Sequence, residues 1–134
     1  MLNEDDLKKK IINEMTVDYS NMLEKNFELA KDHIKITSEG TIDVLHKENL
    51  KGTDKILLYL VGRRYAKEGG LCESEFVTNK ELEDELGIKT GSLLPWLKVL
   101  RDTKMTEGKK GKQSIKVNLI ESVLKRLSKN KNEP

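Results

Sequence analysis

The segment Thr78-Asn79-Lys80-Glu81-Leu82-Glu83-Asp84-Glu85-Leu86-Gly87-Ile88 decides the fold, together with the residues that follow it to Asn118. It opens with Thr-x-x-Glu, the capping-box spacing, in which Thr78 caps the amide of Glu81 while Glu81 reaches back. A short helix is expected to start there. Leu82 and Leu86 fall on one face, Gly87 suits the left-handed conformation that ends a helix, and Ile88 places an apolar residue in the turn. A second helix is expected from about Thr90, because Leu93, Trp96, Leu97 and Leu100 recur at helical spacing as a core face. Thr90, Ser92, Leu94, Lys98 and Arg101 are left toward solvent, the side a recognition helix offers to DNA.

The period then changes. Met105-Thr106-Glu107 reads as a short strand, Gly108-Lys109-Lys110-Gly111 as a glycine-bracketed turn, and Gln113-Ser114-Ile115-Lys116-Val117 alternates as a strand does. A β-hairpin with lysines at its tip, directly after a recognition-type helix, distinguishes a winged helix-turn-helix from a helical hairpin. The fold class expected is therefore α+β, mainly helical: a winged helix-turn-helix with an N-terminal helix and β-hairpin extension and a C-terminal helix.

Gly91-Ser92-Leu93-Leu94-Pro95-Trp96-Leu97-Lys98-Val99-Leu100 resembles the recognition-helix signature of the PadR-like winged-helix transcriptional regulators, in which Gly-Thr-Leu-Tyr-Pro precedes two leucines. Leu94 stands where that family has tyrosine, Arg101-Asp102 replaces its acidic pair, and Lys104-Met105-Thr106 replaces its Gly-Leu-Ile. Pro95 costs little near a first turn and about 3 kcal/mol inside a helix, so it sets the start of regular helix near Ser92 or marks a kink. The resemblance covers roughly a third of the chain. It implies a dimeric DNA-binding regulator with the second helix in the major groove, the wing on the backbone, and a C-terminal helix used for dimerisation.

Charge is distributed unevenly. Residues 1–50 carry 7 basic and 11 acidic side chains, or −4, whereas residues 51–134 carry 18 and 12, or +6. Residues 87–134 alone hold 12 basic against 4 acidic, or +8, the polarity that a phosphate-facing surface requires. Glu81, Glu83, Asp84 and Glu85 make the first helix of the motif acidic, so it faces away from phosphate or serves a protein partner. That feature supports the rival reading, a winged-helix interaction module without DNA binding.

Around this centre, residues from about Glu4 to His33 read as helix, with Leu7, Ile11, Met15, Tyr19, Leu23, Phe27, Ala30 and Ile34 along one side and a break near Thr16-Val17-Asp18. Such a stripe packs on its own domain or pairs with a second copy. Ile34 to Thr37 and Thr41 to Leu45 form a hairpin turned at Gly40, and Lys47 to Gly52 is a polar connector. The division expected is residues 1–50 as extension and 51–134 as winged-helix domain. Asp54 opens a helix with Leu57, Leu60, Val61 and Tyr65 on its core face, stopped by Gly69-Gly70, and Phe76 or Val77 supplies a strand to pair with the wing. Asn118 to Glu121 has capping-box spacing before an amphipathic helix bearing Leu119, Ile120, Val123, Leu124 and Leu127, and Lys129 to Pro134 is a fraying end.

Catalysis finds no foothold in the chain. His33, His46 and the single cysteine, Cys72, lack metal-ligand spacing, and Gly108 to Lys112 lacks the Ser or Thr of a phosphate loop. No enzyme activity, cofactor or metal is expected, and no signal peptide or long apolar run is present, so a cytoplasmic protein is expected. The lysine bias and sole glutamine, Gln113, match a thermophilic source. The functional expectation is sequence-specific binding of double-stranded DNA by a homodimeric transcriptional regulator, with Lys109, Lys110 and Lys112 neutralising phosphates from the wing.

Overall fold

Residues 3–16 and 21–131 are described in the computed structural model, which is α+β and mainly helical. In chain order the elements are α1 (Glu4–Met15), α2 (Met22–Lys25), α3 (Phe27–Lys31), β1 (Ile34–Ile36), β2 (Ile42–Val44), α4 (Gly52–Glu68), β3 (Val77–Thr78), α5 (Asn79–Leu86), α6 (Thr90–Asp102), β4 (Thr106–Lys109), β5 (Lys112–Ile115) and α7 (Ile120–Lys131).

Helix α4 is the axis of the core. Its residues from Ile56 to Gly62 are all buried, wider than the single face expected of Leu57, Leu60, Val61 and Tyr65, because both sheets and helices α5 and α6 pack around it, while Tyr65 itself is half-buried. A helix covered on every side loses its amphipathic pattern. Gly62 lets the first sheet approach closely: a Cβ there would lie 2.3 Å from Cγ2 of Ile42. That sheet is the expected hairpin, antiparallel with Ile34 opposite Val44 and Ile36 opposite Ile42, and Gly40 takes φ +87° in its turn.

The second sheet has the order β3-β5-β4, antiparallel throughout, with Val77 opposite Gln113 and Thr106 opposite Ile115. Val77 thus pairs with the hairpin as expected. One hydrophobic core includes Ala30, Ile34, Ile42 and Val44 as well as Leu82, Leu93, Ile115 and Leu124, so it runs without a break past Leu50.

Two expectations about the termini change. The helix expected from about Glu4 to His33, with a break near Thr16-Val17-Asp18, is found as three helices, α1 ending at Met15 and α2 and α3 divided at Asn26. Between α2 and α3, Asn26 turns its side-chain amide onto the carbonyl of Met22 at 2.8 Å, and its Nδ2 also reaches Oε2 of Glu121 at 3.2 Å. A polar residue anchored to a distant helix here takes the place of continuous helix. Tyr19, the expected break at Val17-Asp18 and the last three residues of the fraying end lie outside the described residues. In the second case, the turn before α7 is a 3-10 helix over Val117–Leu119, and Glu121 does not close a capping box. Its carboxylate instead meets Lys125 at 2.9 Å and Lys25 at 3.1 Å, joining α7 to α2. Val123, Leu124 and Leu127 are buried, so the apolar face of α7 is used inside its own chain.

Candidate nucleic-acid interface

Helix α5 begins as its sequence requires: Oγ1 of Thr78 accepts from the amide of Glu81 at 3.1 Å. The return bond of a capping box is absent from the geometry of Glu81, whose carboxylate accepts from the Tyr59 hydroxyl at 2.5 Å and from Arg63 at 2.7 Å. This carboxylate therefore bolts α5 to α4. Burial first, and then the hydrogen bond to Glu81, push ionisation of Tyr59 far above the ordinary tyrosine range. Gly87 ends α5 at φ +65°, and the amide of Ile88 returns to the Glu83 carbonyl at 3.1 Å. Ile88 is buried in the turn, which fixes the angle at which α6 leaves.

Helix α6 starts at Thr90, as its periodicity predicts, and continues through Pro95. The amides of Ser92 and Leu93 both reach the carbonyl of Lys89 at 2.9 Å, so the first turn forms upstream of the proline ring. Pro95 has no N–H to return to the carbonyl of Gly91, and both residues are exposed, which leaves that carbonyl to water. Leu93, Leu97 and Leu100 are buried, while Trp96 is half-buried rather than fully in the core. Its ring lies over Gly52, at 2.2 Å from where a Cβ would stand.

On the other side of α6, Thr90, Leu94, Lys98 and Arg101 are exposed and Ser92 is half-buried. Lys98 meets Asp102 at 3.1 Å, one turn along the same helix. Both partners are well exposed, so the pair contributes little to stability.

The hairpin is tighter than expected. Lys109 pairs with Lys112, which leaves only Lys110-Gly111 as the turn, with φ +49° and +76°. Two left-handed residues make a type I′ turn, whose twist matches its strands. Gly108 accordingly belongs to β4. The amide of Asn79 donates to the carbonyl of Gly111 at 3.0 Å, tying the hairpin tip to the start of α5. Lys109, Lys110 and Lys112 are all exposed.

Between α6 and this hairpin lies a cleft of about 490 Å³ lined by Asn79, Leu94, Pro95, Leu97, Lys98, Arg101 and Gln113. It brings together three of the five α6 residues singled out by sequence. Thr90 and Ser92 belong to the first turn and are not in its lining, and the three lysines stand at the hairpin tip beyond it. Asn79 and Gln113 escaped the sequence reading. Nε2 of Gln113 donates to Oδ1 of Asn79 at 3.3 Å, while its own Oε1 is buried without a partner. Only the strand register, which places Gln113 opposite Gly108, shows that its side chain shares a face with a residue that has none. That gap admits the stem of Arg101, whose Cδ is 3.2 Å from where a Cβ on Gly108 would stand.

The acidic residues of α5 divide. Glu81 is spent on Tyr59 and Arg63, and the charge of Glu85 also acts on Tyr59, whereas Asp84 is exposed and reaches Lys80 at 3.4 Å. Among the described residues no group of His, Cys, Asp and Glu is placed to hold a metal ion, and no helix is long and apolar enough to cross a membrane. No family model, no curated protein and no solved structure matches this chain.

Proposed function

We propose that α4 to β5 form a winged helix-turn-helix and that the chain binds double-stranded DNA as a cytoplasmic, homodimeric transcriptional regulator of the PadR-like kind. In this reading α6 enters the major groove, and Lys109, Lys110 and Lys112 lie along the phosphates. The observation that carries it is the cleft: exposed Lys98 and Arg101 on one wall and a lysine-tipped hairpin on the other frame a channel that suits a sugar-phosphate strand. Arg101 and Lys98 serve guanine or phosphate, Thr90 and Ser92 donate to phosphate, and Leu94 meets a thymine methyl. Residues 87–134, with a charge of +8, supply the long-range attraction.

A second reading, a protein-interaction module, is favoured by one observation, the exposed Asp84 and Glu85 of α5. Heteronuclear NMR titration with a mixed-sequence duplex separates the two. DNA binding predicts amide shifts concentrated in residues 90–101 and 107–113, with residues 83–86 unmoved. Absence of shifts in both segments would favour the interaction module.

A further inference from the structure

Helix α1 presents Leu7, Ile11, Ile12 and Met15 at 50%, 40%, 62% and 76% exposure, and none of its residues is buried. A helix of 12 residues is marginal in water without packing on its apolar side. Elsewhere on the chain a groove is open. One part, of about 310 Å³, is lined by Phe27, Lys31, Lys35, Ile36, Tyr65 and Leu71 among others; the adjoining part shares Phe27 and Tyr65 and extends to Leu23, Glu24 and Glu68. Phe27 and Leu71 are themselves 49% and 42% exposed.

The acidic first turn of the helix matches the lysines of the groove. Lys31 and Lys35 line the first part of the groove, Lys31 also meeting the exposed Glu28 at 3.0 Å, and Glu24 and Glu68 line the adjoining part. Helix α1 opens with Glu4, Asp5 and Asp6, carries Lys8, Lys9 and Lys10 in its middle and has Glu14 in its last turn. Its apolar residues laid against Phe27, Ile36 and Leu71 put its acidic start beside the two lysines and its own lysines toward the two glutamates. The reverse direction sets Glu4, Asp5 and Asp6 against Glu24 and Glu68, which costs affinity.

We propose that this groove receives α1 of a second copy of the chain, reciprocally, so that two copies exchange their first helices in a twofold dimer. The proposal deepens the homodimer of the functional reading and assigns it to surfaces distinct from the cleft and the hairpin. A reciprocal exchange uses each interface twice, as twofold symmetry requires.

Sedimentation equilibrium of the full chain, without DNA, tests it. The expected mass is twice 15.3 kDa, falling toward the single-chain value on dilution. Ile11→Asp and, separately, the surface variant Lys31→Glu/Lys35→Glu should each weaken association by about tenfold or more. Adding Asp5→Lys/Asp6→Lys to the lysine variant should restore it. Circular dichroism checks that each variant stays folded.

A dimer sensitive to Ile11→Asp but indifferent to the groove charges would mean that α1 pairs with α1, and would overturn the groove while leaving a homodimer. A chain that stays monomeric at all concentrations would overturn both the exchange and the homodimer. Neither result would bear on duplex binding, which the NMR titration reads independently.

Discussion

Lys110 and Gly62 face opposite backbone demands. Lys110 sits at φ +49°, a conformation that disfavours a side chain, so Lys110→Gly should stabilise the protein by about 1 kcal/mol while removing one tip charge. Thermal melting together with duplex affinity checks this: the melting temperature should rise as affinity falls. A drop in both would show that the lysine side chain holds the turn. At Gly62, alanine is the better helix former by roughly 1 kcal/mol, yet its Cβ would meet the β-branched Ile42 at 2.3 Å. Overpacking of this kind costs about 1–3 kcal/mol, so Gly62→Ala should lower stability in urea denaturation. An increase would mean that the β1–β2 hairpin shifts freely on α4. Neither demand is legible in sequence. The same composition at Gly108 to Gly111 permits a four-residue turn or the two-residue turn found, and only pairing with Lys112 decides between them.

Elements separate by whether local chemistry sufficed. Thr78 and Gly87 bound α5 as their residue types require, and the hairpin at Gly40 follows from its alternation and left-handed glycine. Glu81 and Glu121 were misassigned for one reason. Both have the spacing of a local cap, but the Glu81 carboxylate engages Arg63 of α4, and that of Glu121 engages Lys125 on its own helix and Lys25 of α2. A charge-assisted bond between elements outweighs a local cap. Around Glu121, the ammonium groups of Lys125 and then Lys25, followed by the Asn26 amide, hold its carboxyl down from the ordinary 4.5 to about 2. The unfolded chain then binds more protons between those values, so the stability this group contributes is complete above about pH 4.5 and is lost as pH falls toward 2. Glu121→Gln should lessen the acid sensitivity of melting in that window. An unchanged slope would mean that the carboxylate is solvated rather than engaged with α2.

Over the whole molecule, the residues that make the core and those that face the cleft come from the same helix at alternate positions. Leu93 and Leu100 pack inward, Leu94, Lys98 and Arg101 line the outer channel, and the buried Leu97 forms its floor. This division was visible in the periodicity of α6. The contributions of Asn79 and Gln113 were not, because they arise from the start of α5 meeting β5 across 34 positions of sequence. The functional account stands on positive charge flanking that channel, and duplex binding measured by fluorescence anisotropy at low and moderate salt tests it most directly. Binding should weaken steeply with salt, and the slope should flatten by about two to three units in Lys109→Ala/Lys110→Ala/Lys112→Ala. Binding that ignores those three lysines, or no binding at low salt, would contradict it.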